Sequence, residues 1–170
     1  SKTQKGRAIQ NLLNIESDDA VTAYISTKQL QDSEFNSTHY LMFATKNGVV
    51  KRVKLEEYSR PRTNGVIAIG LKENDKVIDV LMTAGNSTIV MATKYGKALR
   101  FDENDVRDMG RTAIGVRGIK INTDTEDDKV VGIIQMDKED SNNSILVVSE
   151  KGCGKRSPLD DYREASRGGK

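Results

Sequence analysis

The residues with most chemistry to offer are arginines and lysines, and they recur at fixed places. The segments 45–52 (TKNGVVKR), 93–100 (TKYGKALR) and 149–156 (SEKGCGKR) each carry a central glycine and end on arginine. Their glycines, Gly48, Gly96 and Gly152, stand 48 and 56 residues apart. An acidic patch follows each motif, at 55–58, 102–106 and 159–162. A basic, glycine-containing turn comes next: 59–65 (SRPRTNG), 107–115 (RDMGRTAIG) and 163–169 (REASRGG). Guanidinium and ammonium groups so placed neutralise phosphates and release counterions, which gives affinity for nucleic acid without reading its sequence.

The charge is partitioned accordingly. The whole chain carries only +2, but windows 45–62, 93–120 and 150–170 hold 19 of its 27 Lys and Arg and 10 of its 25 acids. They carry +9 against −7 for the remainder. In a stack of repeated units, equivalent positions fall on one rim and make a positive belt. The candidate DNA contacts are Lys46, Lys51, Arg52, Arg60, Arg62, Lys94, Lys97, Arg100, Arg107, Arg111, Arg117, Lys155, Arg156, Arg163, Arg167 and Lys170. Arg52, Arg100 and Arg156 have a second option, pairing with acids such as Glu57, Asp102 and Asp160. Lys51 and Arg52 are adjacent in a strand, so they face opposite ways. The absence of Trp and the few Phe and Tyr speak against single-strand binding by base stacking.

Other chemistries are excluded by count. With one His (His39) and one Cys (Cys153), neither a His- or Cys-based metal site nor a disulfide framework is available within the chain. No acid–base pair for catalysis stands out, and no cofactor is expected. His39 reads as a solvent-facing loop residue, and Cys153, between two glycines, as a small turn or strand residue. No G-x-x-x-x-G-K-[ST] phosphate loop is present. No apolar run approaches the roughly 20 residues of a membrane span, and nothing at the start reads as a secretory signal. A reduced, cytoplasmic setting is expected.

The elements that position these cations are strands. Each glycine motif follows an apolar segment: YLMFA (40–44), TIVMA (88–92) and SILVV (144–148). Further strand-like segments are GVIAIGL (65–71) and GVRGIKI (115–121), then VIDVLMT (77–83) and the run after DDK at 127–129. In 65–71, Val66, Ala68 and Gly70 face one way, and Ile67, Ile69 and Leu71 the other. VIDVLMT and TIVMATK are nearly continuous apolar runs, as expected of strands buried on both faces. DDAVTAYIS (18–26) and RAIQNLL (7–13) supply the first equivalents, and no long helical period appears. TKNG and TKYG predict tight hairpin turns with glycine at positive φ. Tyr58 and Tyr162 read as plugs between units.

These features predict an all-β fold of four-stranded blades, each about 50 residues, the size of a propeller blade. The units span 6–58, 63–106 and 111–162, with 163–170 opening the next inter-blade segment. Three blades make an incomplete ring, so self-association through exposed blade faces is an expectation.

Several longer stretches carry a family resemblance: GRAIQNLLNI (6–15), FATKNGVVKRVKLEEYSRPRTNGVIAIGL (43–71), VMATKYGKALRFDENDVRDMGRTAIGVRGI (90–119) and GCGKRSPLDDYREASRGGK (152–170). The chain resembles the C-terminal DNA-wrapping domain of the bacterial gyrase A protein. That resemblance implies a β-pinwheel whose neighbouring blades exchange strands, and a basic rim that binds and wraps duplex DNA with positive handedness. It implies no catalysis here, since strand cleavage belongs to the N-terminal core of gyrase A and ATP hydrolysis to gyrase B, the implied partners. Ser166, Arg167, Gly168, Gly169 and Lys170 resemble part of the family's short basic box. The alternatives are the corresponding domain of topoisomerase IV, which steers substrate choice, and a propeller-type protein-interaction scaffold.

Overall fold

The structure is a computed structural model and describes residues 6, 13, 15, 19–122, 127–139 and 142–169. Each glycine motif closes an antiparallel hairpin: β1 (Tyr40–Thr45) with β2 (Val49–Lys54), β4 (Ser87–Thr93) with β5 (Ala98–Asp102), and β8 (Ser144–Val148) with β9 (Gly154–Pro158). The turn chemistry repeats. Gly48 N–H donates to the Thr45 carbonyl at 3.1 Å, Gly96 to Thr93 at 3.0 Å and Gly152 to Ser149 at 2.9 Å. All three glycines sit at φ between +81° and +85°, a region costly for residues with a Cβ. At Gly48 a Cβ would also strike the Ile119 carbonyl oxygen.

The sheets cut across the sequence units. β3 (Val77–Thr83) lies in the second unit but pairs with β1 of the first. β6 (Val116–Arg117) lies in the third and pairs with β2. The first sheet therefore runs β3-β1-β2-β6, and the second β5-β4-β7, with β7 (Val130–Asp137) borrowed from the third unit. Among the described residues the third sheet is the β8–β9 pair. Strand pairing thus crosses the unit bounds drawn from the sequence.

Two cores follow from side-chain alternation along β4. Ile89 and Met91 point into a cluster with Met42, Ala44, Val50, Leu99, Phe101, Val106, Ile119, Val130 and Ile133. Val90, between them, points the other way and packs with Ile145 and Leu159, flanked by Met136 and Tyr162. A strand with a core on each side must be apolar throughout, which is why TIVMA lacks a polar alternate. Fully burying a side chain of this size stabilises the fold by about 1.5–3 kcal/mol.

Several expectations are corrected. Segment 65–71 forms no strand. Its backbone is satisfied elsewhere: Gly70 N–H donates to the Ala113 carbonyl at 3.1 Å, and the Ala68 carbonyl accepts from the Lys51 ammonium and the Tyr58 hydroxyl, each at 3.0 Å. Of 115–121, only the two residues of β6 join a sheet. Residues 19–26 form no strand either, and most of 7–13 lies outside the described residues. A short helix, α1 (Ser33–Thr38), was not foreseen; Asp32 caps it by accepting from the Glu34 and Phe35 amides. His39 is not a solvent-facing loop residue. It ends α1 half-buried, stacked 3.7 Å from the Phe35 ring, with Nδ1 donating to the Phe35 carbonyl.

Candidate nucleic-acid interface

The strand that leaves each hairpin carries arginine four residues after the glycine, then enters a 3₁₀ turn, then the basic turn. The 3₁₀ turns are Leu55–Tyr58, Glu103–Asp105 and Leu159–Asp161. In the first two units the arginine does not turn to its own acids; it reaches the next unit. Arg52 Nη2 lies 2.7 Å from Asp108 and Nη1 bonds the Glu103 carbonyl and the Asn104 side chain. Arg100 repeats this one unit on, with Nη2 3.2 Å from Glu164 and Nη1 at 3.6 Å from Asp160 and 3.2 Å from the Leu159 carbonyl. Backbone contacts brace both junctions: Met109 N–H donates to Arg52 O at 2.9 Å, and Ala165 N–H to Arg100 O at 3.0 Å. A planar guanidinium with five donors suits such a multi-point grip. Arg52 and Arg100 are therefore inter-unit clasps, a correction to their place among the phosphate candidates.

Lys51 is also removed from that set. Its side chain is wholly buried, and its ammonium donates to the carbonyls of Ala68 and Arg111, in two successive turns. It lies 5.9 Å from the Phe43 ring centroid. Burial pulls its pKa down to about 8, because desolvation disfavours the charged form. Tyr58 shares the Ala68 carbonyl, and burial pushes its phenol up to about 12. The equivalent positions hold Leu99, buried, and Lys155, exposed.

The box-like turn is likewise engaged. Arg167 is half-buried; Nε donates to the Asp105 carbonyl at 2.8 Å and Nη1 to the Arg117 carbonyl at 3.3 Å. Gly168 and Gly169 take φ of +86° and +75°, and Gly168 N–H donates to the Gly118 carbonyl. Ser166 is exposed, and Lys170 lies outside the described residues.

A second group stays on the surface. Arg60, Arg62, Arg107, Arg117, Lys155, Arg156 and Arg163 are exposed, and none has a side-chain ion pair or hydrogen bond among the described residues. Lys46 is half-buried and its ammonium is likewise unpaired there. Arg107 and Arg163 occupy the same place, just beyond the 3₁₀ turn, and Arg60 and Arg62 lie in the matching turn of the first unit. The rest are partly occupied. Arg111 is half-buried 3.8 Å from Glu57. Lys94 pairs with Asp127, and Lys97 donates to the Lys120 carbonyl at 2.8 Å. Exposed pairs such as these contribute little and exchange readily.

Sequence reasoning missed Glu103. At the position where the other units have Leu55 and Leu159, this carboxylate is fully buried. One oxygen accepts from the Ser87 amide at 2.6 Å, and the other lies 3.9 Å from Arg52. The signal was there: an acid standing in register with two leucines. Among the described residues no group of His, Cys, Asp or Glu could hold a metal ion, and no helix is long and apolar enough to cross a membrane.

Comparison with known proteins agrees with this geometry. A family profile described as "DNA gyrase C-terminal domain, beta-propeller" matches residues 39–84, 87–135 and 143–170. The chain is 44% identical over all 170 residues to the gyrase A protein of Staphylococcus epidermidis, and 41% to that of Staphylococcus aureus. It spans 18% of the length of these relatives. Among solved structures, a C-terminal domain of DNA topoisomerase IV superposes with TM-score 0.82 at 30% identity, over 96% of this chain and 48% of that one. A DNA gyrase A C-terminal domain superposes with TM-score 0.81 at 28% identity, over 98% and 52%. With its three profile matches falling on the three hairpin units, the chain belongs to the DNA gyrase C-terminal domain family, with that family's β-propeller fold.

Proposed function

We propose that this chain binds duplex DNA along the turns that follow its 3₁₀ segments, without sequence preference, and bends or wraps it in support of gyrase-type negative supercoiling. The observation that carries the reading is the unpaired, exposed set of Arg60, Arg62, Arg107 and Arg163, all in the basic turns that follow the 3₁₀ segments of successive units of a gyrase-family fold. A repeated surface cation contacts phosphate wherever the backbone passes, and bending is offset by the contacts it brings. The chain acts as a non-catalytic part of a type II topoisomerase, with the gyrase A core and gyrase B as partners of the larger assembly.

The topoisomerase IV match gives a second reading, in which the same rim steers the choice of DNA substrate. The identity to gyrase A over the full chain favours the first. Closed circular DNA relaxed by a type I topoisomerase in the presence of the chain separates them. Wrapping with positive handedness leaves a positive linking difference after the protein is removed. Binding with no change of linking number would contradict wrapping.

A further inference from the structure

A buried ammonium loses its water and needs partners that offset the loss. Lys51 is wholly buried, yet packing does not call for it: the equivalent strand position in the second unit holds Leu99, also buried. What Lys51 has and Leu99 lacks is a set of three N–H donors. They reach the Ala68 carbonyl at 3.0 Å and the Arg111 carbonyl. Ala68 follows the basic turn of the first unit, and Arg111 lies within that of the second. The second turn closes directly over the lysine. A Cβ on Gly115 would stand 2.5 Å from the Val50 carbonyl oxygen and 3.1 Å from the Lys51 Cβ.

The second junction makes the same connection without a lysine. The fourth residues of the matching segments 65–71 and 115–121 are Ala68 and Gly118. The Gly118 carbonyl accepts directly from the Gly168 N–H, in the third basic turn, at 2.6 Å. At the first junction the Ala68 carbonyl is joined to the second turn through the Lys51 ammonium instead. The same carbonyl is thus tied to the next basic turn at both junctions, by a backbone bond at one and by a buried cation at the other. A direct bond, from Gly70 N–H to the Ala113 carbonyl at 3.1 Å, also crosses the first junction.

We propose that Lys51 is a positioning residue for the DNA-binding rim: it fixes the turn that carries Arg60 and Arg62 against the turn that carries Arg107, so that these cations meet one duplex together. The inference rests on the DNA reading above. A wholly buried side chain does not itself touch phosphate. Its part is to hold the outward cations in place before DNA arrives, which lowers the ordering cost of binding.

Two measurements on the purified chain at pH 7 and low ionic strength test it: amide hydrogen exchange without DNA, and affinity for a linear duplex in a double-mutant cycle. The variants are K51M, the triple replacement R60A/R62A/R107A, and the two combined. K51L, with the side chain that the second unit has at Leu99, is carried in parallel, and denaturant unfolding of both identifies a folding defect peculiar to one replacement. In K51M and K51L the Gly70 amide should lose protection while the amides that pair β4 with β5 keep theirs. Both should bind duplex about fivefold or more weakly than the unaltered chain, a coupling of the size found within one network, although no exposed charge has changed. In the R60A/R62A/R107A background the same replacement should change affinity by less than about twofold, because the cations it aligns are gone. Equal loss of affinity in both backgrounds would mark a general structural effect and overturn the proposal. So would undiminished affinity of K51M and K51L, or unchanged exchange at Gly70. If R60A/R62A/R107A binds as tightly as the unaltered chain, the DNA reading itself fails and takes the proposal with it, an outcome that the triple variant alone tells apart from the others.

Discussion

Arg52 and Arg60 are the same residue type on either side of one 3₁₀ turn, and the fold uses them in opposite ways. Arg52 ends a strand whose next neighbour is the following unit. Its side chain is 9% exposed and lies against Asp108, Asn104 and Glu103. Arg60 stands beyond the turn, where the chain has left the sheet, and is exposed and unpaired. The same contrast recurs between Arg100 and Arg107. Position relative to the hairpin, not residue type, decides whether a cation holds units together or faces outward. Net charge counts both classes alike and so overstates the surface available to phosphate.

The sharpest way to break this comparison is to truncate a clasp. Arg52→Ala leaves Glu103 buried without its counter-charge, a change that costs about 3–5 kcal/mol. Denaturant unfolding should show a midpoint shift of that size with little change of slope. Arg100→Ala should cost less, about 1–3 kcal/mol, because its side chain is 17% exposed and its partner acids lie largely in water. A larger loss at Arg100 than at Arg52 would reverse the ranking of the two junctions.

Lys51 sharpens the comparison in another way. Its pKa is lowered on folding, so between about 8 and the ordinary lysine value near 10.5 the unfolded chain holds a proton that the folded chain has released. Stability therefore gains a contribution that rises with pH across that window. Lys51→Met should remove the rise. At pH 7 it should change stability by less than about 1.5 kcal/mol, as matched replacements of buried charge do; Leu99 shows that the site tolerates an apolar side chain. Equilibrium unfolding at pH 7, 8, 9 and 10 on both proteins checks the slope.

The smallest stability effect belongs to the outward arginines. Replacing Arg60, Arg62, Arg107 and Arg163 with Ala should each move stability by less than about 0.5 kcal/mol, the range for surface sites without partners. A larger loss in thermal unfolding would place that residue among the clasps.

Much of the fold was legible because the hairpin is a local object. Gly48, Gly96 and Gly152 mark turns that only a positive φ closes, and the apolar runs before them form the central strands. What the sequence hid was non-local. GVIAIGL alternates like a strand, but its Ala68 carbonyl is taken by Lys51 and Tyr58, so it never joins a ladder. The destination of the clasp arginines depended on which unit lies beside which. The expected pairing was with the acid that follows in the same unit, Glu57, Asp102 or Asp160; Arg52 passes over Glu57 for Asp108, and Arg100 passes over Asp102 for Asp160 and Glu164. Lys51 looked like a rim cation because nothing in its neighbours signals burial; the buried leucine at the equivalent Leu99 was the available clue.

If the outward set, and not the clasp set, carries affinity for DNA, the salt dependence of binding shows it most directly. The measurement uses two unrelated linear duplexes, the unaltered chain, and a variant with Arg60, Arg62, Arg107 and Arg163 all replaced by Ala. Equal affinity for both duplexes is predicted, with a log–log slope that falls in the variant by about one for each phosphate no longer neutralised. An unchanged slope, or a weakening confined to one duplex sequence, would contradict it.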